Sequence, residues 1–289
     1  MTTVKQWLGG ARPRTLPLAL SPVLVGTAAS AANTTVIWWR MAAVGIVAIS
    51  LQVGANYAND YSDGVRGTDH ERRGPLRLTA SGVATPAAVR KAALTCFAAA
   101  AAAGLALAAV VDLRLLALGA LCIAGAWFYS GGRRPYGYSG FGEAAVLVFF
   151  GFAATIGSAY VQARSVPAAA WWGSLVVGLP TCAVLVANNL RDVDTDQRAG
   201  KRTLAVRMES RTTRRLFMAL LVGGMAAVVP IGLERPTAFI AFAALPLAVE
   251  PVRRLSNGAN ASSLTRSLIA TVRLTFVTAG LLSLGLVLA

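Results

Sequence analysis

Nine long apolar runs dominate the sequence and restrict the folds that are open to it. A helix needs about 20 predominantly apolar residues to cross a membrane. With 56% hydrophobic residues and a mean hydropathy of +0.60, the chain could not form an ordinary soluble surface. We therefore predict one all-α domain over 1–289, a polytopic bundle of nine transmembrane helices. The predicted spans are 16–32, 40–58, 92–111, 115–130, 143–163, 169–190, 216–233, 236–251 and 267–288.

Basic residues are distributed unevenly between the two ends of these spans. Of the 27 lysines and arginines, 22 fall in the connections on one side, and Arg40, Arg114, Arg164 and Arg235 fall on the other. Cytoplasmic loops carry an excess of basic residues. We therefore predict a cell (inner or plasma) membrane protein with its N-terminus inside and its C-terminus outside. The net charge of +15 follows this topology and needs no nucleic-acid partner.

Acidic residues are rare and clustered. Seven of the twelve lie where predicted spans meet the cytoplasm. A carboxylate inside a span costs roughly 2.5–3.5 kcal/mol on insertion scales, so such clusters are either solvated helix ends or a functional site. The first cluster is Asp60, Asp63, Asp69 and Glu71, and the second is Asp192, Asp194 and Asp196.

The spacing within the clusters favours a metal site. Asn56, Asn59, Asp60 and Asp63 recur at i, i+3, i+4 and i+7, which places them on one helical face. Asn188, Asp192 and Asp196, at i, i+4 and i+8, do the same. Oxygen ligands without clustered Cys or His favour Mg²⁺ over a transition metal. Because Mg²⁺ often shares its coordination with phosphate oxygens, we predict a diphosphate ligand.

Basic side chains flank both clusters. We select Lys201 and Arg66 as diphosphate ligands because each lies within a turn or two of the carboxylates. Cytoplasmic placement alone also explains basic residues at these positions. Although Lys201 follows Gly200, position 195 is threonine, so the segment is not a P-loop.

A third cytoplasmic loop, residues 129–143, combines glycines, aromatics and a basic pair. Its tyrosines could flank an allylic cation or stack on an aromatic ring, and membrane anchoring explains them equally well. Glu143, which opens an apolar span, is either catalytic or a favourable charge at a helix N-terminus. The loop's substrate-binding candidates are Tyr129, Arg133, Arg134, Tyr136 and Tyr138. Asn56 and Asn188, at the start of the two polar faces, are further substrate-binding candidates.

With these motifs the sequence resembles the UbiA superfamily of intramembrane aromatic prenyltransferases, and within it the menaquinone-pathway branch. The resemblance covers most of the first 210 residues; the last three spans match only in apolar pattern. It rests on the segments ARPRTLPLAL, NDYSDGVRGTD, YSGGRRPYGYSGFGE and NNLRDVDTDQRAGKRTLAVRM.

The resemblance implies a central chamber, open to the cytoplasmic side, in which a polyprenyl diphosphate is ionised. The polyprenyl group would be transferred to 1,4-dihydroxy-2-naphthoate with loss of CO₂, and the prenylated product would leave into membrane lipid. Lys201 would face the diphosphate, and Arg12 and Arg14 would contact the acceptor carboxylate. Many relatives carry an acid four residues after the first motif's second Asp, where this chain has Gly67; the next acid is Asp69. The implied ligands of two Mg²⁺ ions are Asn59 and the catalytic Asp60, Asp63, Asp192 and Asp196.

Other functions remain open at this point. The same chemistry could act on 4-hydroxybenzoate, homogentisate or a porphyrin. The carboxylates could instead belong to a cation transporter, although transport sites usually lie near the bilayer midplane. A non-catalytic lipid-binding protein is a further alternative, and the sequence is compatible with an oligomer.

Overall fold

The computed structural model describes residues 2–31, 34–68, 77–255 and 259–289, and all regular structure in these ranges is helical. The α-helices in chain order are α1 (Val4–Ala11), α2 (Pro17–Ser30), α3 (Trp38–Arg66), α4 (Pro86–Val110), α5 (Arg114–Phe128), α6 (Gly142–Val146), α7 (Ala154–Ala163), α8 (Ala168–Arg191), α9 (Val193–Arg198), α10 (Leu204–Arg207), α11 (Ser210–Ala226), α12 (Val228–Glu234), α13 (Val249–Arg254) and α14 (Ala261–Val287). Short 3₁₀ helices cover Pro13–Thr15 and Tyr136–Ser139, a longer one covers Pro236–Ala248, and a π-helical segment, Leu147–Ala153, joins α6 to α7.

The all-α membrane architecture predicted from the sequence is confirmed, and the count of nine needs qualification. Within the described ranges, seven helical segments are long and apolar enough to cross a membrane. The predicted spans 16–32 and 115–130 correspond to α2 and α5, which are apolar but only 14 and 15 residues long. The count is therefore nine only when these two shorter helices are included.

Two of the spans depart from regular α-helix. The span Gly142–Ala163 contains the π-helical segment, an irregularity that often occurs at functional sites. The span Pro236–Arg254 is 3₁₀-helical over most of its length. Pro236 and Pro246 in that stretch lack the N–H that an α-helical hydrogen bond requires.

Helix α8 is the most buried of the candidate spans, and α2, α11 and α14 pack against it. Small residues permit the close approach that packing in a membrane requires. A Cβ added to Gly178 on α8 would lie 2.8 Å from Gly151 Cα on the π-helical segment. This contact fixes the π-helical segment against the central helix.

The N-terminal helix α1 packs on the polar end of α3. Thr3 and Gln6 form a capping box at its start, and Tyr57 Oη donates to the Trp7 carbonyl at 2.9 Å. The helix ends at Arg12, which adopts the left-handed conformation with φ 55°. This turn directs the chain through a 3₁₀ turn into α2 and brings Arg12 to the interior of the bundle.

Candidate active site

A single cavity connects the polar and apolar parts of the bundle. Its volume is about 380 Å³, and α2, α3, α4, α5, α8 and the helix from α6 to α7 form its walls. Carboxylates, amides and cations line one end, and aliphatic and aromatic side chains line the rest. We call this cavity the chamber.

The first acidic motif contributes three of its four predicted residues to the chamber. Asn56, Asn59 and Asp63 on α3 line it, and Asp60 does not. At about 100° per residue, Asp60 lies about 100° from Asn59 and about 60° from Asp63, at the edge of the face that holds them. Its carboxylate instead accepts the backbone N–H groups of Leu78 and Thr79, both at 2.8 Å. The structure therefore does not bring Asp60 to the chamber wall with the other predicted metal ligands.

The second motif reaches the chamber without the continuous helix predicted for it. Helix α8 ends at Arg191, Asp192 adopts φ −98° and ψ 7°, and α9 begins at the next residue. Asn188, Asp192 and Asp196 nevertheless all line the chamber. The Asp196 N–H donates to the Asp192 carbonyl at 2.8 Å, so the break is short and the i+4 relationship survives it.

Lys201 connects the two motifs. Its Nζ lies 3.4 Å from Asp63 Oδ2 and 3.6 Å from Asp196 Oδ1. The two carboxylate oxygens can therefore be no farther apart than the sum of these distances. Arg77 Nη2 also lies 3.8 Å from Asp63 Oδ2. The sequence prediction selected Lys201 and did not select Arg77 from the basic residues after the first cluster, because a loop position 14 residues after Asp63 has no helical periodicity that would favour it.

Arg191 holds the second motif in a different way. Its guanidinium binds both oxygens of Asp192, each at 2.7 Å, and donates to Asn188 Oδ1 at 2.8 Å. Such a two-pronged contact fixes the orientation of the carboxylate. Arg191 and Asp192 are both nearly inaccessible, so this pair belongs to the interior of the site.

Three tyrosines of the 129–143 loop line the chamber. Tyr138 donates its hydroxyl to Asp63 Oδ1, and its ring lies 4.6 Å from Lys201 Nζ. Burial and the Asp63 charge raise the pKa of Tyr138, so the hydroxyl remains protonated at neutral pH. Tyr136 donates to the Gly125 carbonyl at 2.6 Å, and burial raises its pKa to about 12. Tyr129 packs edge-to-face against Tyr136.

Four predicted substrate-binding arginines do not line the chamber. Arg14, Arg133 and Arg134 are exposed. Arg66 is also exposed and donates to the carbonyls of Ser130 and Gly132. Long basic side chains next to an acidic motif can point towards water, and sequence spacing does not distinguish that outcome from binding.

Arg12 reaches the chamber as predicted. Asn56 Nδ2 donates to the Ala11 carbonyl at 3.0 Å and so ties the end of α1 to α3. Arg12 Nη2 is buried and has no hydrogen-bond partner within the described residues. A buried guanidinium nitrogen without a partner indicates that an anionic group can be bound there.

The remaining acidic positions lie in different surroundings. Asp194 is exposed, whereas Glu143 is buried. Asp69 and Glu71 lie outside the described residues, as do Arg72 and Arg73.

The donor set at the polar end fits a magnesium ion. No three acid, His or Cys side chains in the described ranges are close enough to enclose a metal by themselves. Mg²⁺ in proteins usually keeps several waters and binds through one or two carboxylates together with substrate phosphates. Asn59, Asp63, Asp192 and Asp196 provide such oxygens around one cavity.

A family model described as the UbiA prenyltransferase family matches residues 19–287. The chain is 49% identical over 256 residues to the 1,4-dihydroxy-2-naphthoate octaprenyltransferase of Mycobacterium tuberculosis, covering 88% of each protein. It is 38% identical over 242 residues to the Escherichia coli protein of the same name, covering 79% of this chain and 76% of that one.

Solved structures of low sequence identity share the fold. A UbiA homolog from Archaeoglobus fulgidus bound to GPP and Mg²⁺ superposes with a TM-score of 0.66 at 13% identity, covering 96% of this chain and 99% of that one. An apo UbiA homolog from Aeropyrum pernix superposes with a TM-score of 0.67 at 16% identity, covering 94% and 97%.

Proposed function

The chain belongs to the UbiA prenyltransferase family, and from that premise we propose that it transfers a polyprenyl chain from a polyprenyl diphosphate to 1,4-dihydroxy-2-naphthoate, with loss of diphosphate and CO₂. The observation that carries the proposal is the chamber itself. Its anion-binding and cation-binding groups lie at one end of a long apolar cavity, which matches a substrate with a charged head and a hydrocarbon tail. The names of relatives at 49% and 38% identity support the choice of acceptor.

The diphosphate occupies the polar end in this proposal. Asn59, Asp63, Asp192 and Asp196 would hold Mg²⁺, with two ions as in the sequence prediction. Bound magnesium would supply electrostatic neutralisation of the diphosphate leaving group. Asp60 is omitted from the ligand set because it does not line the chamber.

Several side chains of the protein act on the departing diphosphate. Lys201 and Arg77 lie beside Asp63 and provide fixed positive charge where negative charge develops. Arg191 keeps Asp192 and Asn188 in place. Preorganised charges of this kind stabilise a transition state without reorganisation at the moment of reaction.

The apolar walls protect the reactive intermediate. Phe149, Phe150 and Cys122 line the chamber beyond its polar end. An allylic cation formed there is shielded from water, and the three tyrosines of the 129–143 loop line the same chamber. The acceptor carboxylate binds the unpartnered Nη2 of Arg12, which directs the ring towards the cation.

The whole chain forms one domain in the cell membrane in this proposal, with the N-terminus and polar end of the chamber on the cytoplasmic side. The distribution of 22 basic residues against four supports that orientation. A reporter that is active only outside the cytoplasm, fused after Ala289, should be active. Activity of a cytoplasm-dependent reporter at the same position would reverse the assignment.

The test of function uses detergent-purified protein with a long-chain prenyl diphosphate, 1,4-dihydroxy-2-naphthoate and Mg²⁺. We expect a prenylated, decarboxylated product by mass spectrometry. Formation should stop with EDTA and in the Asp63→Ala, Asp192→Ala double variant. Turnover of 4-hydroxybenzoate but not naphthoate would change the acceptor. Failure with every aromatic acceptor would overturn the enzymatic proposal.

A further inference from the structure

A buried pair of polar side chains, Glu143 and Asn189, lies beside the chamber and outside the network that joins the two acidic motifs. Glu143 is 8% exposed and Asn189 is 7% exposed. Asn189 Nδ2 donates to Glu143 Oε1 at 3.0 Å. Glu143 Oε2 is buried without a hydrogen-bond partner in the described residues. A buried carboxyl group without a cation beside it is costly, which indicates a role beyond packing.

We propose that Asn189 accepts a hydrogen bond from a ring hydroxyl of the aromatic acceptor, and that Glu143 is the positioning residue that orients it. The inference rests on the proposed function and specifies how the acceptor is recognised. Asn189 lies on α8 and Glu143 on α6, so their hydrogen bond links two walls of the chamber.

The chemistry of the pair sets the direction of the Asn189 amide. In the structure the NH₂ group of Asn189 faces Glu143, because its Nδ2 donates to Glu143 Oε1. Its Oδ1 then points away from Glu143. Asn189 lines the chamber, and its Oδ1 accepts no hydrogen bond from any described residue. The pair therefore presents a fixed acceptor atom to whatever occupies the chamber.

That acceptor atom selects between the two substrates. A fully ionised diphosphate offers oxygen acceptors and no donor, so Asn189 Oδ1 has no hydrogen bond to make with it. A dihydroxylated aromatic ring offers O–H donors. The surroundings also suit a ring, because Tyr129 and Leu185, which lies one turn before Asn189 on α8, line the same chamber.

The experiment compares KM values for the naphthoate and for the prenyl diphosphate in the full-length protein. Asn189→Leu should raise KM for 1,4-dihydroxy-2-naphthoate about tenfold, the loss expected for one hydrogen bond. KM for the prenyl diphosphate should stay within about twofold. Glu143→Leu should have the same selective effect, and Glu143→Gln should restore most of the lost affinity because its Oε1 can still accept from Asn189.

An acceptor analogue sharpens the assignment. The wild-type protein should have a lower KM for the dihydroxynaphthoate than for either naphthoate that lacks one of the two hydroxyls. One of these two analogues lacks the hydroxyl that binds Asn189, and its KM in Asn189→Leu should equal that of the dihydroxynaphthoate. Melting temperatures are measured for all of these variants and for Asn189→Ala. They distinguish a loss of naphthoate binding from a loss of stability. A merely structural role would lower the melting temperature without splitting the two KM values.

Direct binding of 1,4-dihydroxy-2-naphthoate, measured by calorimetry, separates this inference from the proposed function. Binding by the wild type without turnover would refute the function, whereas a selective loss of binding in Asn189→Leu would still support the inference. Unchanged naphthoate affinity in Asn189→Leu, or no binding by the wild type, would overturn it. Loss of kcat alone in Glu143→Gln would indicate proton transfer by Glu143 and would overturn its assignment as a positioning residue. A higher Mg²⁺ requirement in Asn189→Leu would place Oδ1 on the metal and also overturn the inference.

Discussion

The two acidic motifs bring carboxylates to the same cavity along different backbone paths. The first lies within α3, which continues without interruption to Arg66. The second lies at a break, where Asp192 both ends α8 and precedes α9. On the unbroken helix, position alone decides which acid faces the chamber, and Asp63 does while Asp60 does not. At the break, a neighbouring guanidinium fixes the carboxylate.

The difference shows that the same side-chain chemistry is held by two kinds of support. Asp63 interacts with groups from distant parts of the chain, namely Arg77, Tyr138 and Lys201. Asp192 is held by its own sequence neighbour, Arg191. The first motif therefore depends on correct packing of the loops, whereas the contact between Arg191 and Asp192 joins residues adjacent in sequence.

The largest expected effect tests whether the two motifs act on one substrate group. Asp63→Asn and Asp192→Asn should each lower kcat by roughly 10²–10³-fold, the loss typical of a preorganised electrostatic contact. The double variant should lose much less than the product of the two, because residues that act as a unit are not additive. The rate of product formation at saturating substrate and Mg²⁺ concentrations gives kcat for the two single variants and the double variant.

Asp194→Asn is the matched control for that comparison. Asp194 lies between the two chamber-lining acids of the second motif and is itself exposed. We expect its kcat to stay within about twofold of the wild type. A loss of kcat as large as that of Asp192→Asn would mean that the negative charge of this segment matters, whether or not the side chain faces the chamber.

Much of this arrangement could be predicted from the sequence. The apolar runs predict the membrane bundle, and the i+4 spacing in each motif identifies Asn59 with Asp63 and Asp192 with Asp196. Periodicity could not exclude Asp60, because a position 100° away still falls within the polar face of a helix end. The sequence also does not show which backbone groups its carboxylate will find.

The missed residues share one physical reason. Arg77 and Asn189 are defined by contacts across the bundle, and a pattern along the chain does not report such contacts. Arg66, Arg133 and Arg134 are the opposite case, because they were predicted to bind substrate and do not line the chamber. Their residue type fits diphosphate binding, but their side chains are exposed. Burial, which decides both cases, is a property of the packed structure.

The second prediction concerns Lys201, the contact that the two motifs share. Lys201→Met should lower kcat/KM about 100-fold, because it removes a buried cation from two carboxylates and from the diphosphate. Lys201→Arg keeps the charge and should recover part of the loss. Steady-state kinetics with varied prenyl diphosphate measure both variants. If Lys201→Met changed only the naphthoate KM, Lys201 would not be a diphosphate ligand.

The third prediction distinguishes Asp60 from Asp63, because a substitution of Asp60 should lower stability whereas a substitution of Asp63 should lower kcat. Asp60→Asn replaces one acceptor oxygen of a pair that binds two backbone N–H groups, so the free energy of unfolding should fall by about 1–3 kcal/mol. Activity per folded molecule should remain within several-fold of the wild type. Melting temperature and kcat, measured on one preparation, test this. A stable but inactive Asp60→Asn protein would return Asp60 to the metal site.

The smallest effect is expected for Arg133 and Arg134, whose residue type fits diphosphate binding but whose side chains are exposed. Arg133 and Arg134 lie in the same loop as Tyr136 and Tyr138, yet both arginines are exposed while the tyrosines line the chamber. The double variant Arg133→Ala, Arg134→Ala should keep kcat and both KM values within about twofold, because exposed substitutions away from a site change free energies by about 0.5 kcal/mol or less. Tyr138→Phe is the partner measurement, since it removes the hydroxyl that binds Asp63 and should lower kcat about tenfold. A larger loss in the arginine pair than in Tyr138→Phe would show that the loop closes over the diphosphate with its arginines turned inward, and the comparison of the two motifs would then have to include this loop as a third support.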